Sequence, residues 1–263
     1  MECLDTIRHL KINLKKNVGP VVIVVEGAEY EFELLNAIFR RVLKYRLVTK
    51  SRNQSNFKEY NEYVMKDNQN SKFIVINTKN SNIGSIEDDE NYRNEVYKMA
   101  YEKYNIDLKN CPLYFVWDRD QASNKDTIVS ELLGKLQNPY ENSNYESGLL
   151  LLSYPCAEAY IISCFEKNKE YVSEDIKEYV NKKKKYKFTD LDRYKIQYAT
   201  IEMINKIYKL GIKDFEIDNI GKTNQKIFDK EEKIFKSKNE YYLLSMISYI
   251  LLDLGIITFR TDN

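Results

Sequence analysis

Apolar positions in this chain form two kinds of pattern, uninterrupted runs and helical periodicities. The run Val21–Val25 contains only β-branched residues, which is typical of a strand covered on both faces, as in a parallel sheet. Residues 28–45 then carry apolar side chains at helical spacing, and Gly27 marks the turn between the two segments. A strand, a glycine turn and a helix predict a βα unit near the start of the fold.

Strands and helices alternate in this way from about residue 18 to residue 165. Further strands are predicted at the apolar runs Leu47–Val48, Phe73–Ile76, Leu113–Trp117 and Leu149–Leu152. Helices are predicted over 88–104, 124–137 and 155–165, whereas 51–71 is polar. We therefore expect an α/β fold with a mostly parallel, Rossmann-like sheet flanked by helices.

The two ends of the chain show helical patterns. Residues 3–16 carry apolar side chains at helical spacing, which predicts a leading helix. After residue 165 strands nearly disappear, several helices follow, and the apolar stretch 241–252 predicts a buried final helix. We expect an α/β domain over 1–165 and a helical region over 166–263, which would offer a dimer or partner interface.

Composition excludes several classes of protein. Hydrophobic residues make up 43%, which excludes general disorder, and 41 basic residues nearly cancel 40 acidic ones. A basic surface would therefore have to be local. One histidine and four cysteines without a CxxC pair offer little for a zinc site or a disulfide framework. Residues 1–16 lack an apolar signal core and 241–259 is interrupted by polar residues, so we expect a cytoplasmic protein without a membrane span.

Acidic residues end two of the predicted buried strands. Glu26 follows the first strand, and Asp118 and Asp120 follow the strand that ends at Trp117. Ligands gather at the carboxyl ends of parallel strands, so these three side chains converge if the two strands are neighbours. Carboxylates packed together repel one another unless a cation offsets their charge, and Mg²⁺ prefers such oxygen ligands. The pattern therefore favours a site for Mg²⁺ or Mn²⁺.

Each acidic motif also has an ordinary structural interpretation. A Glu-Gly pair after a strand is common in proteins of many functions. An Asp-x-Asp segment after a strand is often a solvated turn or a helix cap. The two motifs together, each ending a buried strand in a βα segment, favour a functional site more than either motif does alone.

Three segments of the chain resemble the TOPRIM domain. The apolar run ending in Glu26-Gly27 and the run ending in Asp118-Arg119-Asp120 resemble its two acidic motifs. The segment from Ser153 to Glu158 resembles the S-x-P-C-x-E segment of OLD-like and RloB-like TOPRIM proteins of bacterial defence. The resemblance covers about 20–165 and leaves the helical remainder without a match.

The resemblance implies a role for each acidic residue. Glu26 would be a metal ligand or general base, and Asp118 and Asp120 would be metal ligands. Glu158 would be an auxiliary ligand or, as we favour, a structural acid that caps its helix. Nuclease members usually carry another acid four residues after the first Glu, where this chain has Tyr30. Glu31 lies next to it, but a shift of one residue turns a helical side chain by about 100°, which puts a second metal in doubt.

The resemblance implies a metal-dependent endonuclease that hydrolyses RNA, tRNA included, or DNA. OLD-type proteins fuse TOPRIM to an ATPase, and this sequence shows no ATPase motif. It is therefore similar to PARIS-type TOPRIM effectors of antiviral defence by abortive infection, held by a separate ABC-type ATPase. The alternative is a non-catalytic TOPRIM-like module that binds nucleotide or protein, a hypothesis supported mainly by Tyr30.

The lysine run 182–185, flanked by Tyr179 and Tyr186, is a second candidate for nucleic-acid contact. Lysines and aromatic rings together can follow a nucleic-acid strand. We favour the simpler interpretation, a solvated helix face.

Overall fold

A computed structural model of the chain describes residues 10–26, 29–52, 57–78, 98, 101–102, 108, 111–122, 124–140, 148–182 and 186–259. None of the helices among them is both long enough and apolar enough to cross a bilayer.

The described residues form ten strands, seven α-helices and three shorter helical turns. The strands are β1 Leu10–Ile12, β2 Pro20–Val25, β3 Arg46–Arg52, β4 Phe57–Met65, β5 Asn68–Thr78, β6 Leu113–Asp118, β7 Gln137–Asn138, β8 Gly148–Tyr154, β9 Leu244–Ser245 and β10 Ile257–Phe259. The α-helices are α1 Glu29–Ala37, α2 Asp126–Lys135, α3 Glu158–Phe165, α4 Ile176–Lys182, α5 Arg193–Lys209, α6 Ile220–Lys238 and α7 Ile247–Asp253. A π-helical turn spans Ile38–Val42, and 3₁₀ turns span Phe188–Asp190 and Ile217–Asn219.

The main sheet has eight strands with a parallel centre. Its order is β3-β4-β5-β2-β6-β8-β7, and β9 also pairs with β8. The central strand β2 runs parallel to β5 and β6, and β6 runs parallel to β8, whereas β3, β4, β7 and β9 join by antiparallel pairing. The expected α/β class is therefore confirmed as a mixed sheet of mostly parallel central strands flanked by helices.

The centre of this sheet explains the β-branched run in the sequence. Every side chain from Val21 to Val25 is 0% exposed, because β2 has a strand on each side and is covered on both faces. Helix α1 covers part of the sheet with a buried stripe at positions 34, 35 and 38. Spacings of three and four residues place these side chains on one face of the helix.

Three expectations about local structure need correction. In the predicted leading helix 3–16, Leu10–Ile12 is a strand paired with Ile257–Phe259 at the other end of the chain, and residues 3–9 lie outside the described part. The polar segment 51–71 contains β4 and the start of β5. In the predicted final helix, the helix begins only at Ile247, because Leu244–Ser245 pairs with β8. The strand partners of Leu10–Ile12 and Leu244–Ser245 are distant in sequence, whereas β4 pairs with β5 across the turn at residues 66–67.

The remaining predicted elements agree with the structure where they are described. Leu47–Val48 lies in β3 and Phe73–Ile76 lies in β5, both longer than predicted, and helix α2 falls inside the predicted 124–137. Of the predicted helix 88–104, residues 98, 101 and 102 are helical and the others lie outside the described residues.

Contacts join the two sides of residue 165. Strand β9 pairs with β8, and the Asn224 side-chain amide in α6 donates a 2.8 Å hydrogen bond to the Leu150 carbonyl oxygen in the sheet. The division into regions 1–165 and 166–263 stays a prediction, and elements of the second region complete the packing of the first.

Candidate metal centre

Glu26 and Asp118 meet at the carboxyl edge of the sheet. Strands β2 and β6 are parallel neighbours, with Val25 opposite Val116, so Glu26 follows β2 next to the point where β6 ends at Asp118. The Asp118 backbone N–H donates a 2.8 Å hydrogen bond to Glu26 Oε2. The two strands are therefore neighbours, which was the condition for their acidic residues to converge.

Helix α1 brings a third carboxylate to this edge. Glu31 is 2% exposed, and one carboxylate oxygen from each of Glu26, Glu31 and Asp118 lies within 4.8 Å of the other two. We call these three residues the acidic cluster. Glu31 precedes Leu34, Leu35 and Ile38 by three, four and seven residues, which places it on the buried face of α1. The helical periodicity of the sequence therefore indicates this position for Glu31. The family motif, which has its acid at position 30, drew attention away from it.

A second group of ligand atoms shares Asp118. One ligand atom from each of Asp118, Cys156 and Glu158 lies within 4.8 Å of the others, and the Ala157 N–H donates a 2.8 Å hydrogen bond to Asp118 Oδ1. Glu158 is 5% exposed and begins α3. Its position is thus compatible both with the auxiliary ligand and with the structural acid that the sequence suggested.

Asp120 lies apart from both groups. Its side chain is exposed, and its Oδ1 accepts a 3.0 Å hydrogen bond from the Ala122 N–H. Among the described residues, neither group of ligand atoms within 4.8 Å includes Asp120. Its negative charge nevertheless contributes to raising the pKa of Glu26. The assignment of Asp120 as a metal ligand stays a prediction.

No family model, curated protein or solved structure matches this chain. The TOPRIM resemblance therefore stays a prediction, and the chemistry of the acidic cluster has to be derived from its own geometry.

Burial and mutual repulsion make the acidic cluster hold protons. Burial raises the pKa of Glu26 to about 8, and the charges of Glu31 and Asp120 add to this shift. Burial also raises the pKa of Glu31 and, with the charge of Glu31 added, the pKa of Asp118. Without a cation, the acidic cluster is therefore partly neutral near pH 7.

Helix α4 places a lysine beside these carboxylates. Burial alone would lower the pKa of Lys177, but the charges of Glu158, Asp118 and Glu31 outweigh it and raise the pKa. The ammonium group therefore stays charged at neutral pH and interacts electrostatically with these carboxylates. No local pattern along the chain points to Lys177, because its position depends on how α4 packs against α3.

The acidic cluster has the ligands that a divalent cation needs. Glu31 Oε2 is buried and has no hydrogen-bond partner among the described residues. An unsatisfied buried carboxylate oxygen is costly, and a cation would satisfy it while offsetting the repulsion between the carboxylates. Carboxylate oxygens at this spacing suit Mg²⁺ or Mn²⁺, with Glu26, Glu31 and Asp118 as the protein ligands. The residues present therefore fit the expected metal.

Without metal, we expect the free energy of unfolding to fall as pH rises from about 4.5 to about 8. Unfolded Glu26 releases its proton near 4.5 and folded Glu26 near 8, so the folded state loses relative stability between these values. Each pKa unit corresponds to about 1.4 kcal/mol. We expect Glu26→Gln to flatten this dependence and to be more stable than the parent at pH 8 in EDTA.

Urea denaturation at pH 5, 6.5 and 8 measures this dependence. Asp67→Asn, in the exposed turn between β4 and β5, is the matched control and should follow the parent. Parallel pH curves for the parent and Glu26→Gln would contradict the assignment of a raised pKa to Glu26.

Proposed function

We propose that this chain is a divalent-metal-dependent nuclease that hydrolyses phosphodiester bonds, with a TOPRIM-like active site. The observation that carries this proposal is the group of three carboxylates, Glu26, Glu31 and Asp118, within 4.8 Å at the carboxyl edge of two parallel strands. This is the edge where open α/β sheets bind their ligands. The TOPRIM-like motifs predicted from the sequence contain two of the three residues.

The acidic cluster and the residues around it would have different roles in such a reaction. A divalent cation held by Glu26, Glu31 and Asp118 would polarise a phosphate oxygen and make water a stronger nucleophile. Glu26 would act as a ligand of this cation or, as a carboxylate, as a general base. The Lys177 ammonium group supplies positive charge beside the carboxylates, where it can offset the charge of a bound phosphodiester.

The biological setting of the proposal comes from the resemblance. It favours RNA, including tRNA, or DNA as substrate, and a role as effector of an antiviral defence system. The same resemblance favours a separate ABC-type ATPase as partner and a homodimer formed through the region after residue 165. Each of these is a proposal about partners that binding experiments with the purified proteins would test.

The non-catalytic alternative rested on Tyr30 in place of an acid. The Tyr30 ring packs edge-on against Phe188 with ring centroids 5.0 Å apart, and burial raises the pKa of its hydroxyl group, so it offers no ligand at neutral pH. Glu31 supplies a carboxylate to the cluster from the next position. The missing acid at position 30 is therefore weak support for a loss of catalysis.

Glu31→Gln tests the one residue of the acidic cluster that the two sequence motifs do not contain. We expect it to lower the Mg²⁺- or Mn²⁺-dependent cleavage rate by about a hundredfold or more, because the amide removes one of three charges that hold the cation. Labelled single-stranded RNA, tRNA and single-stranded DNA are incubated with each metal and with EDTA. Asp67→Asn serves as the matched acid-to-amide control.

The outcome distinguishes the two functions. Cleavage that requires metal and is lost in Glu31→Gln supports the nuclease. If the parent cuts none of the three substrates with either metal, the nuclease proposal fails and the non-catalytic module remains. If Glu31→Gln cuts like the parent, the proposed ligand set is wrong.

A further inference from the structure

A basic surface lies at the far end of α1 from the acidic cluster. It consists of five exposed cationic residues on the π turn after α1, the loop that follows this turn, β3 and α5. These residues, which we call the basic groove, are Arg40, Arg41, Lys44, Arg46 and Arg193. Two adjoining depressions of about 770 and 640 Å³ share Arg40 and Arg41 in their walls. In a chain with net charge +1, this is a strong local concentration of positive charge.

The backbone departs from regular helix where it presents these cations. Ile38–Val42 is a π-helical turn, in which the Leu43 N–H donates to the Ile38 carbonyl oxygen at 3.0 Å. Lys44 has φ 65°, a left-handed conformation that non-glycine residues seldom adopt. Such irregularities occur frequently at functional sites. Together they place four cations within residues 40–46 along the two depressions.

The acidic residues that line the two depressions form no ion pair with the five cations. Asp192 lines one depression, but its carboxylate caps α5 at the Lys195 N–H, 2.9 Å away, and pairs with Lys195 Nζ at 3.2 Å. Glu33 lines the other depression. Arg41 Nη2 donates a 2.6 Å hydrogen bond to the Thr189 carbonyl oxygen, which fixes one guanidinium at the edge. Within the described part of the chain, no ion pair joins any of the five cations to an acid.

Packing contacts along α1 connect the basic groove to the acidic cluster. Phe188 forms part of the first depression and packs on Tyr30, the residue before Glu31. From Glu31 to Arg40 the helix rises roughly 13 Å, at about 1.5 Å per residue. A strand that rises about 3.4 Å per nucleotide crosses this distance in about four nucleotides. When one phosphodiester of a strand lies at the acidic cluster, other phosphates of the same strand therefore lie within reach of the basic groove.

An exposed aromatic ring adds a contact for bases. Tyr194 lines the second depression beside Arg193, and its side chain is 76% exposed, the highest value among the exposed large apolar residues of the described part. Bases of a single strand stack on such rings regardless of sequence, whereas bases inside a duplex are covered by their neighbours. Cations with a free aromatic ring thus fit a single strand.

We propose that the basic groove binds the backbone of single-stranded nucleic acid and guides it to the acidic cluster. The inference rests on the proposed nuclease function and names its substrate class. Residues 183–185 of the lysine run 182–185 lie outside the described part of the chain, and the surroundings of Lys182 make it a weaker candidate for this role. Lys182 pairs with Glu174 and with Glu178 at 3.3 Å, and the hydroxyl groups of Tyr179 and Tyr186 both donate to Glu166.

Fluorescence anisotropy with labelled single-stranded 20-mers of RNA and of DNA, in EDTA so that no cleavage occurs, tests the groove. The triple variant Arg40→Glu, Arg46→Glu and Arg193→Glu should weaken binding by about a hundredfold. For three lost phosphate contacts, the slope of log affinity against log salt should fall by about 2. The matched control reverses three exposed lysines elsewhere, Lys66, Lys213 and Lys230, and should change the affinity less than about threefold.

Tyr194→Ala tests the stacking contact separately. It should weaken binding of a single strand by at least about fivefold, whereas Tyr208→Ala, an exposed tyrosine that lies outside both depressions, should leave it unchanged. A duplex of the same length should bind more weakly than the single strand and should not respond to Tyr194→Ala. A duplex that binds as tightly as the single strand would overturn the single-strand assignment.

The remaining outcomes separate this inference from the proposed function. If the parent does not bind either 20-mer at low salt, or if the groove and control triples weaken binding equally, the groove assignment is wrong. If the groove variants lose binding but the parent cuts nothing with Mg²⁺ or Mn²⁺, the groove stands as a binding surface and the nuclease proposal fails. If the triple variant of Arg40, Arg46 and Arg193 retains metal-dependent cleavage, only the proposal that the groove guides the strand to the acidic cluster is overturned.

Discussion

Replacing Asp118 with asparagine is expected to lower the metal-dependent cleavage rate by about a thousandfold or more. Asp118 is the only described residue that belongs to both groups of potential ligand atoms. Its loss removes charge from the centre of the site. A metal contribution of several kcal/mol to the transition state corresponds to this factor, at about 1.4 kcal/mol for each tenfold change in rate.

The hydrogen bonds around Asp118 are expected to persist when asparagine replaces it. Asparagine keeps a side-chain oxygen that can accept from the Ala157 N–H, and the backbone bond to Glu26 does not involve the side chain. We therefore expect the fold to persist, and circular dichroism with thermal melting in EDTA checks it. Single-turnover cleavage of the substrate found for the parent measures the rate, with Asp67→Asn as control. A rate within threefold of the parent would exclude Asp118 from the chemistry.

Replacing Arg119 with leucine is expected to destabilise the fold by about 3–5 kcal/mol. Its guanidinium is 0% exposed and donates to Glu232 Oε1 at 2.8 Å, to Asp126 Oδ1 at 2.6 Å and to the Asn124 carbonyl oxygen at 2.8 Å. Leucine leaves the Glu232 carboxylate buried without its cationic partner. An uncompensated buried charge costs far more than the loss of an exposed ion pair.

Urea denaturation at pH 7 measures this loss. Lys135→Ala, which removes an exposed pair with Glu131, is the control and should cost less than about 1 kcal/mol. Because Arg119 links the loop after β6 to α6, we also expect the regions before and after residue 165 to unfold in one transition. A loss below about 1 kcal/mol in Arg119→Leu would show that the buried network contributes little.

The fold was predictable where the pattern along the chain determines it. The β-branched run at Val21–Val25 and the apolar run before Asp118 specify two buried parallel strands, because only a strand covered on both faces can bury every side chain. The pairing of β1 with β10 and of β9 with β8 was not predictable in this way. Short strands acquire their structure from a partner far along the chain, which the local sequence does not contain.

In the candidate site, too, some residues were predictable from the sequence and others were not. Glu26 and Asp118 were predictable because each follows a strand that the sequence marks clearly. Glu31 was predictable in principle, since its spacing from Leu34 and Leu35 places it on the buried face of α1. Lys177 was not, because no spacing relates it to the strand ends and only the packing of α4 brings it near them.

The central claim is that Glu26, Glu31 and Asp118 share one divalent cation. Crystals of the parent soaked in Mn²⁺, with anomalous data collected at the manganese edge, test it most directly. We expect an anomalous peak within coordination distance of carboxylate oxygens from all three residues, and its loss in Asp118→Asn crystals. Saturating Mn²⁺ that gives no peak between the three side chains would contradict the claim.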